Sequence, residues 1–305
     1  MNLRRLFTGV CVSLGFLAFA PPALGLANRV FVSARSGNNA NDCSNINTPC
    51  QTLAGAVVQL NPSGEAIVLD SGGYGPVTIT QAVTIEAPPG VVAFIHPPTG
   101  NAITVNAGAS DVVILRGLVL NGGDSNGIKI NTASGVIIES CVISGFAGQG
   151  IVNFAPNGAL SVKDTISRLN NRGIDVESGG ALIEHCRIEG NAASGIFVDG
   201  GYATVRDTVS AFNQLDGFRA WSSGTENTFL NVYECVSTHN QQNGVGAFNL
   251  GTGSVTVRVG NSSAVVNVGH GFSNSSGLFE SLGNNLVRGN VGGDVTAGIT
   301  VVGGQ

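Results

Sequence analysis

The chain has 305 residues, 45 of them glycine, with 11% charged residues and a formal net charge of −5. At 43% hydrophobic it is too apolar for a disordered tail, and its glycines lack the every-third-residue period of collagen. Two lysines and an acidic balance argue against an electrostatic nucleic-acid binder. These exclusions leave a β-rich, turn-rich chain of one or two domains.

Residues 1–25 read as an export signal. Arg4 and Arg5 form a positive start, Leu6 to Ala20 is apolar, and Ala23-Leu24-Gly25 fits a small-x-small cleavage site. Cleavage is expected after Gly25, with Ala27 the alternative; the arginine pair leaves ordinary and twin-arginine export both open. The apolar run is too short to span a membrane, and no run of about twenty apolar residues occurs after it. The mature protein is therefore expected to be secreted or periplasmic, without a membrane span.

Residues 26–61 differ in character from residues 62–305. Val30-Phe31-Val32 reads as a strand and Asp42 to Cys50 as a polar loop. Gln51 to Leu60 is an amphipathic pattern, with Pro49 before it and Asn61-Pro62 ending it, which predicts a helix. This unit is expected to plug the open apolar end of a solenoid. In an exported chain, Cys43 and Cys50 are expected to form a disulfide.

Residues 62–305 repeat. Gly127-Ile-Lys-Ile recurs as Gly150-Ile-Val-Asn, Gly173-Ile-Asp-Val, Gly195-Ile-Phe-Val, Gly217-Phe-Arg-Ala, Gly244-Val-Gly-Ala, Gly271-Phe-Ser-Asn and Gly298-Ile-Thr-Val. Each repeat holds about three short alternating runs and no helical period. Three such strands cannot bury their apolar faces alone but can when coils stack. The expected fold is all-β: a single-stranded, right-handed parallel β-helix with an N-terminal capping helix. Ile128, Ile151, Ile174, Ile196, Phe218, Val245, Phe272 and Ile299 are expected to form one buried column.

Other columns keep the same step. Asn170, Asn191, Asn213, Asn240, Asn267 and Asn290 sit at the corner before the glycine phrase, where stacked amides can bond along the axis. Cys141, Cys186 and Cys235 alternate with Thr165 and Thr208. Coils stack about 4.8 Å apart, so these thiols lie two coils from one another and are expected to stay free and buried. Glu139, Lys163, Glu184 and Arg206 form a surface column of alternating sign.

The phrases and the asparagine column resemble the right-handed parallel β-helix repeat proteins of the pectate-lyase-like superfamily, and residues 31–56 resemble the cap of its secreted bacterial members. The resemblance implies that the outward face of the glycine-phrase sheet is a substrate groove. It carries no particular activity, because this superfamily includes lyases, hydrolases, epimerases and adhesins. Gly269-His270-Gly271 resembles a polygalacturonase tripeptide, but the companion Asn-Thr-Asp and Asp-Asp motifs are absent, so His270 is expected to be a turn residue.

Alternation turns the third and fifth residues of each phrase outward. The third-residue column reads Lys129, Val152, Asp175, Phe197, Arg219, Gly246, Ser273, and the fifth Asn131, Phe154, Glu177, Asp199, Trp221, Phe248, Ser275. Phe154, Phe197, Trp221, Phe248 and Lys129 are expected to bind carbohydrate, since apolar rings stack on the C–H faces of sugars. Asp175, Glu177, Asp199 and Arg219 are the candidate catalytic groups. Close carboxylates raise one another's pKa, and a pair about 5 Å apart suits retaining glycoside hydrolysis. A lyase needs a base and a cation to neutralise the uronate, and the acids could then hold Ca²⁺; no other metal or cofactor is expected.

These residues predict a monomeric exported β-helix that binds an extracellular or cell-wall polysaccharide on one sheet face. A polysaccharide lyase or glycoside hydrolase using the carboxylates is the alternative, and a structural or adhesive solenoid, or a plain solvated face, stands beside both.

Overall fold

The computed structural model describes residues 26–303; the segment expected to be an export signal, with Cys11, lies outside the described residues. Three parallel sheets run the length of the molecule, of twelve, ten and ten strands, each strand pairing with its counterpart one coil away. The short alternating runs of the sequence become strands of mostly three to six residues, which bury every second side chain inward. One continuous core results, filled by Val, Ile, Leu, Ala and Phe.

The glycine phrases form one ten-stranded sheet. Ile128 pairs with Ile151, Ile151 with Ile174, Ile174 with Ile196, Ile196 with Phe218, Phe218 with Val245, and Val245 with Phe272. All seven are buried. The eighth member differs from expectation: Val295 pairs with Phe272, and Ile299 lies in the twelve-stranded sheet beside Phe279. The last coil is shorter than the two before it, so Gly298-Ile-Thr-Val imitates the phrase on the wrong sheet.

The asparagine column is a closed ladder. Asn191, Asn213, Asn240 and Asn267 each donate their backbone N–H and Nδ2 to the Oδ1 of the asparagine on the next coil, at 2.9–3.1 Å. Asn170 donates its backbone N–H to Asn191 Oδ1 at 3.0 Å. These turns are buried, so every corner amide needs a partner within the protein. The ladder also explains the phrase glycine: a Cβ on Gly195 would meet Ser210 Oγ, the Gly217 carbonyl and, at 2.7 Å, Asn213 Nδ2.

Cys43 and Cys50 are bonded. Cys141, Cys186 and Cys235 are free and buried, and burial pushes their thiols up, to about 12, 11 and 12. Thr165 and Thr208 stand between them, each hydroxyl accepting the N–H of the cysteine one coil earlier. Glu139, Lys163, Glu184 and Arg206 are in register. The close ion pair of that column lies at its foot, however, between Arg116 and Glu139 at 2.6 Å.

The expected ten-residue helix is shorter. Thr52 accepts from the Gly55 N–H and opens a helix over Leu53–Val57, with Leu53, Ala56 and Val57 buried. Leu60 already begins the strand Leu60–Val68, which pairs with Ala27–Val32. Pro62 therefore does not end a helix. It lies in the irregularity between the pairs Ala27–Leu60 and Arg29–Glu65, where its missing donor breaks no ladder bond.

Candidate functional site

Ile174–Val176, Ile196–Asp199 and Phe218–Ser222 are successive strands of the glycine-phrase sheet. Their outward side chains, with the corner residues before each glycine, enclose an open cleft of about 300 Å³. Its lining is Arg172, Glu177, Ser194, Phe197, Asp199, Leu215, Arg219 and Trp221.

The floor is charged and closed over. Asp175 points away from the core yet is fully buried, so this part of the face is not the plain solvated surface weighed as one alternative, and Val152 and Phe197 are buried as well. Corner side chains fold across this column and shut out water. Arg172 Nη1 donates to Asp175 Oδ2 at 2.7 Å, and Gln149 Nε2 donates to the same oxygen at 3.2 Å. The Arg172 guanidinium lies 3.7 Å over the Phe197 ring and 3.7 Å from Glu177 Oε1.

A second pair on the far side of the cleft has the opposite polarity. Here the aspartate is at the corner and the arginine in the strand: Arg219 Nη1 donates to Asp216 Oδ2 at 3.0 Å. Asp216 is fully buried and also accepts from the Asn243 backbone N–H and Nδ2 at 2.9 and 2.7 Å. The guanidinium of Arg219 lies 4.7 Å over Trp221 and 4.4 Å over Phe248. Trp221 and Phe248 are neighbours, with ring centroids 6.1 Å apart.

Burial raises the pKa of every acid at the cleft. The Glu177 carboxyl is pushed up to about 7 by burial and by the charges of Asp175 and Asp199, against the pull of Arg172. Burial raises Asp199 too, helped by Asp175 and opposed by Arg172. Asp175 and Asp216 are raised by burial against their arginines. Three buried side-chain polar atoms have no hydrogen-bond partner among the described residues: Asp175 Oδ1, Ser194 Oγ and Arg219 Nε. Ser194 and Arg219 line the cleft, and Asp175 lies beneath Arg172.

Of the nine side chains expected on this face, Glu177, Phe197, Asp199, Arg219 and Trp221 line the cleft, Asp175 supports its floor and Phe248 backs Arg219. Lys129 and Phe154 are not among its lining residues: the Lys129 ammonium sits 5.5 Å from the centre of the Phe154 ring on earlier coils. Arg172, Ser194, Asp216 and Gln149 were not singled out from the sequence. The column immediately before the phrase glycine, Gln149, Arg172, Ser194, Asp216, Asn243, His270, carries that signal. Its members sit three residues from the third-residue column, where Arg172–Asp175 and Asp216–Arg219 meet. His270 begins a strand rather than filling a turn, its N–H donating to Asn243 Oδ1 at 2.9 Å. Among the described residues, no group of three His, Cys, Asp or Glu side chains is placed to hold a metal ion.

The protein's fold is similar to that of pectate lyase Pel9A, with a TM-score of 0.65 and 14% identity over 92% of this chain and 78% of that one. The periplasmic alginate epimerase AlgG gives 0.49 and 12%, over 79% and 76%. A rhamnogalacturonan lyase gives 0.47 and 14%, over 83% and 72%. These likenesses concern the fold. No curated protein sequence matches. The model of the right-handed beta helix region matches residues 60–232, more than half of the chain. With three parallel sheets stacked coil upon coil over those same residues, the chain belongs to the right-handed β-helix family.

Proposed function

We propose that the protein is an exported β-helix that binds a polysaccharide along the outward face of the glycine-phrase sheet, with the cleft between Arg172 and Trp221 as its principal sugar subsite. The observation that carries this reading is the presence of two unpartnered buried polar atoms, Ser194 Oγ and Arg219 Nε, on residues that line one cleft. A buried polar group without a partner costs about 1–3 kcal/mol. Sugar hydroxyls donate and accept, so one ring can serve acceptors and donors alike. Trp221 adds an apolar plane on the wall, and the pectate lyase that shares the fold is, by its name, an enzyme of a polysaccharide. The Cys43–Cys50 bond fits an oxidising compartment.

A second reading, cleavage of the bound chain, is favoured by Glu177. A carboxyl held at about 7 is in part protonated at neutral pH and can serve as a general acid, beside Asp199 as base or nucleophile. A glycan array tests the first reading, and reducing-end and unsaturated-uronate assays on the hits test the second. Trp221→Ala should weaken binding to the hits at least tenfold; binding unaffected by it would put the subsite elsewhere.

A further inference from the structure

The charges around the cleft are unevenly committed. Both arginines are already occupied. Arg172 is tied to fully buried Asp175 and its face is covered by Phe197. Arg219 is tied to fully buried Asp216, its face lies against Trp221 and Phe248, and its side chain is only 15% exposed. Each guanidinium is already neutralised through Nη1 by a buried aspartate and faced by aromatic rings before any ligand arrives. The carboxyl groups facing the opening are less committed. Asp199 has no ion pair or side-chain hydrogen bond among the described residues, and Glu177 lies 3.7 Å from Arg172 and shares a hydrogen bond with the Asp175 carboxyl. Four acids stand against two bases here: Asp175, Glu177, Asp199 and Asp216 with Arg172 and Arg219.

We infer that the cleft takes an uncharged sugar chain and rejects uronates. The inference rests on the glycan-binding reading and narrows it. A uronate carboxylate entering the cleft would add a further negative charge to a partly desolvated site where four acids already stand against two arginines, and like charges repel there. The hydroxyl and hydroxymethyl groups of a neutral ring meet no such opposition. They can accept from Arg219 Nε and either donate to or accept from Ser194 Oγ, which is 1% exposed and unpartnered. A neutral hexose or pentose ring lacks the C6 carbonyl that acidifies the C5 proton removed in β-elimination, so among uncharged chains only an esterified uronate could be cleaved by elimination here.

The test uses the full chain and pairs of oligosaccharides that share a backbone and differ in the charge of the group at C6. Methyl-esterified oligogalacturonides are compared with the same oligomers de-esterified, and β-1,4-mannan with β-1,4-mannuronan, alongside neutral glucan, xylan, galactan and arabinan oligomers. The expected result is Trp221-dependent binding of at least one neutral chain, at least tenfold tighter than that of any uronate. Asp199→Asn, nearly isosteric, should narrow that ratio by relieving repulsion, raising uronate affinity relative to that of the neutral chain at least threefold. Uronates binding as tightly as neutral chains, with Trp221→Ala weakening both, would overturn this inference and leave the glycan-binding reading intact. Trp221-independent binding, or no binding by either class, overturns both. Thermal melts of each variant separate lost affinity from lost folding.

Discussion

The guanidinium of Arg172 lies 3.7 Å over the ring of Phe197 on the next coil, while its Nη1 holds Asp175, fully buried, at 2.7 Å. One side chain thus neutralises the floor of the cleft and roofs part of it. Removing the charge leaves a buried carboxylate alone, which costs about 3–5 kcal/mol unless the group takes up a proton. Arg172→Met should therefore lower the melting temperature clearly at pH 8 and less at pH 5. Arg172→Met/Asp175→Asn should recover part of the loss. Equal losses at the two pH values would mean that Arg172 acts by packing alone.

The asparagine ladder predicts a gradient of cost. Asn213 donates to Ser210 and Asn240 and accepts from Asn191, all inside the molecule, whereas Asn290 ends the run of asparagines and is 8% exposed. Replacing Asn213 by Ala orphans donors and acceptors on two neighbouring coils, each worth about 1–3 kcal/mol. Asn213→Ala should destabilise the chain more than Asn290→Ala in chemical denaturation. The reverse order would show that the ladder is not closed along its length.

Much of this architecture was legible because a solenoid writes its register into the sequence. Buried columns must carry the same residue type at each coil, so Ile128 to Phe272, the asparagines and the Cys–Thr alternation could be aligned by counting. Ile299 escaped that logic because a local match to Gly-Ile-x-Val says nothing about how long the preceding coil is; the ladder asparagine, Asn290, marks the coil better than the glycine does. The site was half legible. Alternation finds the side chains that point outward, hence Glu177, Asp199 and Trp221. It does not tell that Arg172 and Gln149, from the corner column, fold over Asp175 and make it a buried charge. Outward and exposed are different properties wherever neighbouring columns carry long side chains.

Arg219 should resist conservative replacement. Its planar guanidinium packs against both Trp221 and Phe248 while bonding Asp216, and an ammonium cannot stack in this way. Arg219→Lys keeps the charge and should still loosen the aromatic wall. Its expected signature is altered tryptophan fluorescence, reporting on the single Trp221, together with weaker glycan binding at unchanged net charge. An unaltered emission spectrum would show that the wall holds without the stack.

Glu177 gives a pH dependence whose sign runs against the usual behaviour of carboxylates. Salt-bridged acids have lowered pKa values and make a protein more stable as pH rises. Glu177 is raised from 4.5 to about 7, mainly by burial, with Asp175 and Asp199 adding repulsion. Below pH 4.5 the group is protonated in both the folded and unfolded chain and contributes nothing. Between 4.5 and 7 the unfolded chain releases this proton while the folded chain keeps it, so stability falls as pH rises. Above 7 both forms are ionised and the penalty is constant. The side chain is 29% exposed, so solvent screens part of the effect and about 1–2 kcal/mol is the reasonable scale. Glu177→Gln keeps the shape and cannot ionise. It should therefore melt higher than the parent chain at pH 8, match it near pH 4, and show a flatter profile between. Asp199 and Asp175 are raised in the same direction, so some slope should survive in the variant. Melting curves across pH 4–8 decide the matter: a variant less stable than its parent at pH 8 would mean that ionised Glu177 is stabilised in the folded protein, with the Arg172 contact outweighing burial.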